Sequence, residues 1–216
     1  PGLITCTISG YGETGAAAQK KAYDFLVQGE SGVSAVTGTP ESPARVGLPL
    51  TDLSTGLTAF SAILRALLQR ARTGTGVDLS VSMFDVMADW MNMPLMGHRY
   101  MGGAPERAGL KHTFIAPYGA FDCGDGGQVL LSVQNNREFA ELCTQVLNQP
   151  DLPQDSRFAQ NTDRFANRAT LDAIVTEAFA PFDTDTVIAK LDAAKIANSR
   201  LNSVADLSDH PFLRNT

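Results

Sequence analysis

Three cysteines in 216 residues, Cys6, Cys123 and Cys143, are too few and too scattered for a disulfide framework. Their number is odd and none forms a CxxC pair, so a zinc ribbon is not suggested either; reduced thiols in a cytoplasmic protein are the simplest expectation. Histidine is equally sparse. His98, His112 and His210 lie far apart, without HxxxH or HExxH spacing, so no metal site is expected. The chain has no GxSxG elbow of a serine hydrolase. "GYGETG" lacks the lysine and hydroxyl of a phosphate-binding P-loop. No apolar run reaches the roughly 18 residues that a membrane span needs, and no signal peptide pattern is present. Basic blocks are missing too. A net charge of −6 and a pI near 5.0 argue against an electrostatic nucleic-acid binder, although a few local cations can hold an anionic ligand. Repeats and low-complexity tracts are absent.

What is present is a globular composition, 44 % apolar and 19 % charged, enough to build a core. The length fits one large domain or two small ones. The chain opens "PGLITCTISGYG", without Met and already in a strand pattern, and ends "DHPFLRNT"; it is expected to be a piece of a longer protein, or a processed or trimmed chain.

Leu3 to Ser9 alternates apolar and β-branched residues and predicts a strand, followed by a Gly-rich loop. Lys21 to Val36 reads as a helix weakened by Gly29 and Gly32. The strongest element is a helix from Leu53 to Arg72. Leu53, Leu57, Phe60, Leu64 and Leu67 recur at four- and three-residue steps, which predicts one buried face. "TGTG" stops it, "VDLSVSM" reads as a strand, and a further helix from Phe84 ends before Pro94. This succession predicts an α/β layered domain over residues 1–95, with a parallel sheet, and a charged, Gly-rich linker over 96–112. Residues 113–216 predict a small α+β domain. It starts with a hairpin around Cys123 to Gly127 and continues with helices Glu138 to Leu147, Ala169 to Phe179 and Thr184 to Ala194.

Asp52, in "VGLPLTDLSTGLTAF", sits where an apolar run gives way to the long helix. It has the place of a helix cap, a job that Thr51 could share. The same place suits a nucleophile, because helix N-termini favour ionised carboxylates and open α/β sheets bind ligands where strands give way to helices. "KKAYD", Lys20 to Asp24, is either the solvated start of a helix or a site where Lys21 meets a phosphate and Tyr23 stacks on a ring. His112 is a loop histidine with some prospect of touching a ligand, and Asp125 in "GDGG" reads as turn chemistry.

The stretches "ITCTISGYGETG", "KKAYDFLVQGESGVSAVTG" and "VGLPLTDLSTGLTAFSAILRALLQRARTGTGVDLSVSMFDV" resemble the central section of class III CoA-transferases, the formyl-CoA and carnitine-CoA transferase family. "HTFIAPYGAFDCGDGGQVLLSVQNNREFAELC" and "RLNSVADLSDHPF" resemble that family's small domain. The resemblance implies a Rossmann-like large domain built from both chain ends, a small domain inserted between, and two chains interlocked as a dimer. This chain would then lack the first and last parts of the large domain. It implies Asp52 as the catalytic carboxylate, Lys21 and Tyr23 as CoA contacts, and Asp24 near the reacting centre. CoA and acyl-CoA would be substrates and not permanent cofactors. The substrates would be an acyl-CoA and a small carboxylic acid, with no nucleic acid or membrane partner.

The same family includes 2-methylacyl-CoA racemases, which carry a His where this chain has Tyr23. Without that His, proton transfer from two faces of an α-carbon loses a partner, so transfer is favoured over racemisation. "MGGAPERAGLKHTFIAPYG" is most like members that handle C4–C5 dicarboxylic acids, with Arg107, Lys111 and His112 available to a second carboxylate unless they are only linker charges. A non-catalytic truncated fragment is the third possibility.

Overall fold

The computed structural model describes residues 1–213 and divides between Gly109 and Leu110 into two compact units. Residues 214–216, part of the expected small domain, lie outside the described residues.

In the first unit, β1 (Thr5–Ser9) is followed by α1 (Asp24–Glu30), α2 (Val33–Val36) and α3 (Leu50–Thr73). β2 (Asp78–Ser82), α4 (Met83–Trp90) and α5 (Asn92–Tyr100) complete it. β1 and β2 pair in parallel, Thr5 opposite Asp78 and Ser9 opposite Ser82, across the connection that contains α1 to α3. The helix expected over Lys21 to Val36 is broken in two. Gly32, at φ 87°, takes the left-handed conformation that ends α1 and opens α2. The helix expected to stop before Pro94 instead resumes as α5, with Pro94 in the first turn, where a missing N–H costs no helical bond. The expected linker is therefore partly helical.

α3 is longer than expected, and its apolar stripe faces the other way. Leu57 and Phe60 are 60 % and 58 % exposed, and Leu53, Leu64 and Leu67 are also open. The buried face is Thr51, Ser54, Thr55, Ala59 and Ala66. Both faces obey the helical period, so periodicity alone does not choose between them. Small side chains let the helix axis approach β1, β2, α1 and α4 closely, and they meet a core of Val27, Val33, Val81, Val86 and Met87. A Leu stripe would hold the helix further off. Ala59→Leu is therefore expected to destabilise the unit by about 1–3 kcal/mol through overpacking. With the stripe uncovered, as in residues 1–216, Phe60→Ala should stay within about 0.5 kcal/mol. Denaturation midpoints of the two variants check this, and the reverse order would contradict it.

The second unit holds an antiparallel sheet in the order β3 (Tyr118–Asp122), β4 (Gln128–Ser132), β5 (Ala197–Arg200). The helices are α6 (Asn136–Glu141), which continues as a π-helical turn to Val146, α7 (Asn161–Ala166), α8 (Arg168–Phe179), α9 (Thr184–Ala193) and α10 (Val204–Ser208). Inward residues of β3 and β4, Phe121, Val129 and Leu131, pack with Phe139, Leu142, Leu171, Phe179 and Leu191 from the helices. Each large apolar side chain so buried contributes about 1.5–3 kcal/mol. Arg164 is buried among them. It donates to the Ala116 and Phe158 carbonyls at 2.9 and 3.0 Å and to Asn136 Oδ1 at 3.0 Å, so its desolvation is met by hydrogen bonds.

Asp125 ties the hairpin to the start of α9. Its carboxylate accepts from the Thr184 N–H at 3.0 Å, the Thr184 hydroxyl at 2.8 Å and the Gly127 N–H at 3.0 Å. The Thr184 N–H foremost, then its hydroxyl and the Gly127 N–H, hold the Asp125 carboxyl down at about 2. A folded value below the unfolded one stabilises the protein above the ordinary value of 3.8, and that contribution is lost as pH falls towards 2. Asp125→Ala is expected to flatten the acid limb of the stability profile between about pH 4 and 2. Urea midpoints across that range test it, and an unchanged limb would contradict it.

Candidate active site

Because β1 and β2 are parallel, their carboxyl ends, Ser9 and Ser82, share one edge. α3 runs the opposite way. Its last turns are held near the start of β1: Arg70 Nη1 donates to the Gly2 carbonyl at 3.0 Å, and the Gly76 N–H donates to Pro1 at 2.8 Å. The N-terminus of α3 therefore lies towards the carboxyl edge of the strands, where open α/β sheets bind ligands.

Gly10 brings the "KKAYD" segment to the same edge. A Cβ on Gly10 would lie 2.3 Å from the Ala22 Cβ, so only glycine lets the segment cross the strand end this closely. Tyr23 then lies in extended backbone ahead of α1, and Asp24 is the first helical residue. Asp24 Oδ1 accepts the Thr51 N–H at 2.7 Å, and Thr51 Oγ1 donates to the Asp24 carbonyl at 3.3 Å. The N-termini of α1 and α3 are thereby joined. Asp24 comes to the turn that carries Asp52, and Lys21 and Tyr23 precede it in the chain.

Asp52 does not cap α3. Pro49 precedes the first turn and Asp52 is the third helical residue, with no side-chain cap bond. The cap comes from another helix, since Asp24 satisfies the Thr51 N–H, which Pro49 in the N-cap place has no side-chain acceptor to take. The Asp52 side chain is exposed, and its carboxylate has no hydrogen-bond or ion-pair partner among the described residues. One turn on, a Cβ on Gly56 would meet nothing within 4 Å, so open space flanks the carboxylate. Two unengaged oxygens at a fixed helix start can attack an electrophile. The N–H groups of its chain neighbours are already engaged, Leu50 with Leu48, Thr51 with Asp24 and Leu53 with Pro49.

The two lysines of the segment differ. Lys20 pairs with Glu30 and lies 4.7 Å over the Tyr11 ring, while the Tyr11 hydroxyl donates to Glu30 at 2.6 Å. The Lys20 and Tyr11 partners hold the Glu30 carboxyl below its usual range, and Glu30 raises both Tyr11 and Lys20. Half-exposed, this pair adds little stability. Lys21 is exposed and has no such partner among the described residues, so its ammonium is free for an anion. Tyr23 is 68 % exposed, with its ring open to stacking.

Arg107 and His112 are engaged by backbone. Arg107 Nε, Nη1 and Nη2 donate to the carbonyls of Thr39, Ala35 and Pro40 at 2.8, 3.1 and 3.0 Å, pinning the loop after α2. In the second unit, His112 Nδ1 accepts from the Phe114 and Ile115 N–H groups at 3.1 Å each, and its ring stacks on Tyr118 at 4.8 Å. Lys111 pairs with Asp172. Arg107→Ala is expected to cost about 1–3 kcal/mol of stability from the stranded carbonyls. A melting measurement decides, because a raised acceptor KM with unchanged melting would instead support contact with a substrate carboxylate.

Sequence reasoning missed Gln28, which is fully buried and bonded to Asp24, and the Tyr11–Lys20–Glu30 cluster. The signal for Gln28 was present, since Asp24 and Gln28 are one helical turn apart. Burial pushes the Cys143 thiol up to about 12 and raises Cys123, so neither is disposed to act as a thiolate. Among the described residues, no group of three His, Cys, Asp or Glu side chains could hold a metal ion, and no helix is long and apolar enough to cross a membrane.

A model of CoA-transferase family III matches residues 1–216. An acetyl-CoA:oxalate CoA-transferase of Acetobacter aceti is 40 % identical over 182 residues, covering 83 % of this chain and 46 % of that protein. A succinyl-CoA:glutarate CoA-transferase of Mus musculus is 34 % identical over 210 residues, covering 96 % of this chain and 47 % of that protein. The crystal structure of a CAIB/BAIF family protein from Brucella suis superposes with a TM-score of 0.83 at 36 % identity, over 98 % of this chain and 56 % of that one. The chain thus spans about half the length of the curated relatives it matches.

Proposed function

The chain belongs to CoA-transferase family III, and on that premise we propose that it supplies the aspartate-bearing part of an enzyme that moves CoA from an acyl-CoA to a carboxylic acid. The observation that carries this is Asp52: an exposed carboxylate without a protein partner, on a helix start held from outside by Asp24.

An oxygen of Asp52 attacks the thioester carbonyl, the C–S bond breaks, and CoA thiolate leaves a mixed anhydride. The thiolate attacks the aspartyl carbonyl and expels the donor acid, which gives an aspartyl-CoA thioester. A carboxylate oxygen of the acceptor attacks that carbonyl and regenerates an anhydride and thiolate. The thiolate then attacks the acyl carbonyl, forms the new acyl-CoA and frees Asp52. No proton is gained or lost overall, so the site needs oxyanion stabilisation more than a titrating base. Lys21 holds a CoA phosphate and Tyr23 stacks on the nucleotide or packs against its arm.

A small dicarboxylic acid is the acceptor in this proposal. Support comes from the two relatives' names, since oxalate and glutarate are both dicarboxylic acids. Arg107 and His112 are no longer needed for it, given their backbone partners. The rest of a family-length protein would complete a Rossmann-like domain and an interlocked dimer in the cytoplasm. The exposed Leu57–Phe60 stripe of α3 supports the expectation of further packing there.

The test mixes the full-length protein with succinyl-CoA and follows intact and peptide masses. An acyl or CoA adduct on the Asp52 peptide supports transfer. Deuterium uptake at the α-carbon without an adduct contradicts it and supports racemisation. If neither occurs and CoA does not bind, the chain is a non-catalytic fragment.

A further inference from the structure

Gln28 is a fully buried amide with a single satisfactory orientation. Its Oε1 accepts the Val46 N–H at 2.9 Å, and its Nε2 donates to Asp24 Oδ2 at 2.8 Å and approaches the Leu48 carbonyl at 3.5 Å. Turned over, the amide would set N–H against the Val46 N–H and oxygen against the Asp24 carboxylate, so the network fixes which end is which. The contacts fall on one run of chain. Val46 and Leu48 lead into α3, and Asp24, held by Gln28, takes the Thr51 N–H next to Asp52.

We propose that Gln28 is a positioning residue for the transfer reaction: its amide locks Asp24 onto the start of α3 and so fixes the turn that presents Asp52. This rests on the aspartyl route proposed above. A buried donor is required here because each Asp24 oxygen must be held in its own direction, one towards Thr51 and one towards Gln28. An apolar side chain at position 28 would leave the Val46 N–H and one carboxylate oxygen unpaired.

The hydrogen-bond pattern predicts a reciprocal rescue in the full-length protein. Gln28→Glu sets a carboxylate against the Asp24 carboxylate. Asp24→Asn either sets its amide against the Gln28 amide or turns its N–H₂ towards the Thr51 N–H. In the double variant the new amide at 24 donates to the new carboxylate at 28. The other two bonds, to the Thr51 and Val46 N–H groups, remain, and the 3.5 Å approach to Leu48 becomes an oxygen–oxygen contact. Each single variant is expected to lower kcat by about 10–100-fold, with the acyl-CoA KM little changed. The double variant should return to within about threefold of wild type. A double variant no faster than Asp24→Asn, at equal melting temperature, would overturn the proposal. Adduct formation on Asp52 separates the two levels. If wild type forms no adduct, the aspartyl route fails and this assignment with it. If wild type forms one and both single variants form it as fast, only the Gln28 assignment fails.

Discussion

On the proposed aspartyl route, Asp52→Asn in the full-length protein is expected to reduce CoA transfer by about 10⁴–10⁶-fold in kcat while leaving the fold intact. The size follows from the chemistry. An amide oxygen is a far poorer nucleophile than a carboxylate, and removing the covalent route leaves only binding and oxyanion stabilisation. The harmlessness to the fold follows from the geometry. The Asp52 carboxylate is exposed, caps nothing and makes no hydrogen bond or ion pair among the described residues. Its loss should move stability by no more than about 0.5 kcal/mol. Acyl-CoA binding should also survive, because the proposed CoA contacts, Lys21 and Tyr23, are untouched. Steady-state turnover, calorimetric melting and a CoA titration of the same variant check the three parts. An inactive variant that also melts early would mean that Asp52 is structural.

Gly10→Ala is the second change with a large expected effect, and the first whose cause lies outside the reacting groups. The new Cβ would fall 2.3 Å from the Ala22 Cβ, far inside contact distance. The segment that carries Lys21, Tyr23 and Asp24 must then move away from the strand end. Overpacking of this kind costs about 1–3 kcal/mol. On the roles proposed for these residues, the displacement in the full-length protein should raise the acyl-CoA KM through Lys21 and Tyr23 and lower kcat through Asp24. Ala22→Gly removes the methyl that the new one strikes, so the double variant should regain most of both losses. Melting and steady-state kinetics of the two single variants and the double one form the cycle. Additive losses with no rescue would show that the close approach is unimportant.

Some of this was legible in the sequence for clear reasons. α3, β2 and the β3–β4 hairpin carry strong local patterns, and Asp52 stands at the start of the first of them. The buried face of α3 was not legible, because Leu57 and Ala59 both lie on faces with helical period and only the packing partner decides which is covered. β5 was missed because "ANSR" has little strand propensity, and it forms by pairing with β4, with Ser199 opposite Leu130. The cap on α3 was misassigned for a related reason. Local sequence offers Asp52, but the bond is made by Asp24, 27 residues earlier. The difference between Lys20 and Lys21 likewise depends on Glu30, which meets one and not the other.

The aspartyl route makes one demand that no other proposal shares: an oxygen of the acceptor acid must end in the side chain of Asp52. The acceptor oxygen that bridges the second anhydride stays with the aspartate when thiolate takes the acyl group. The full-length protein would be turned over with acyl-CoA and an acceptor acid labelled with ¹⁸O in its carboxylates, then digested and weighed by peptide mass spectrometry. The account predicts ¹⁸O in the peptide that contains Asp52, confined to that side chain by fragmentation and absent when the acyl-CoA is left out. Transfer that proceeds at full rate with no label in Asp52 would contradict it.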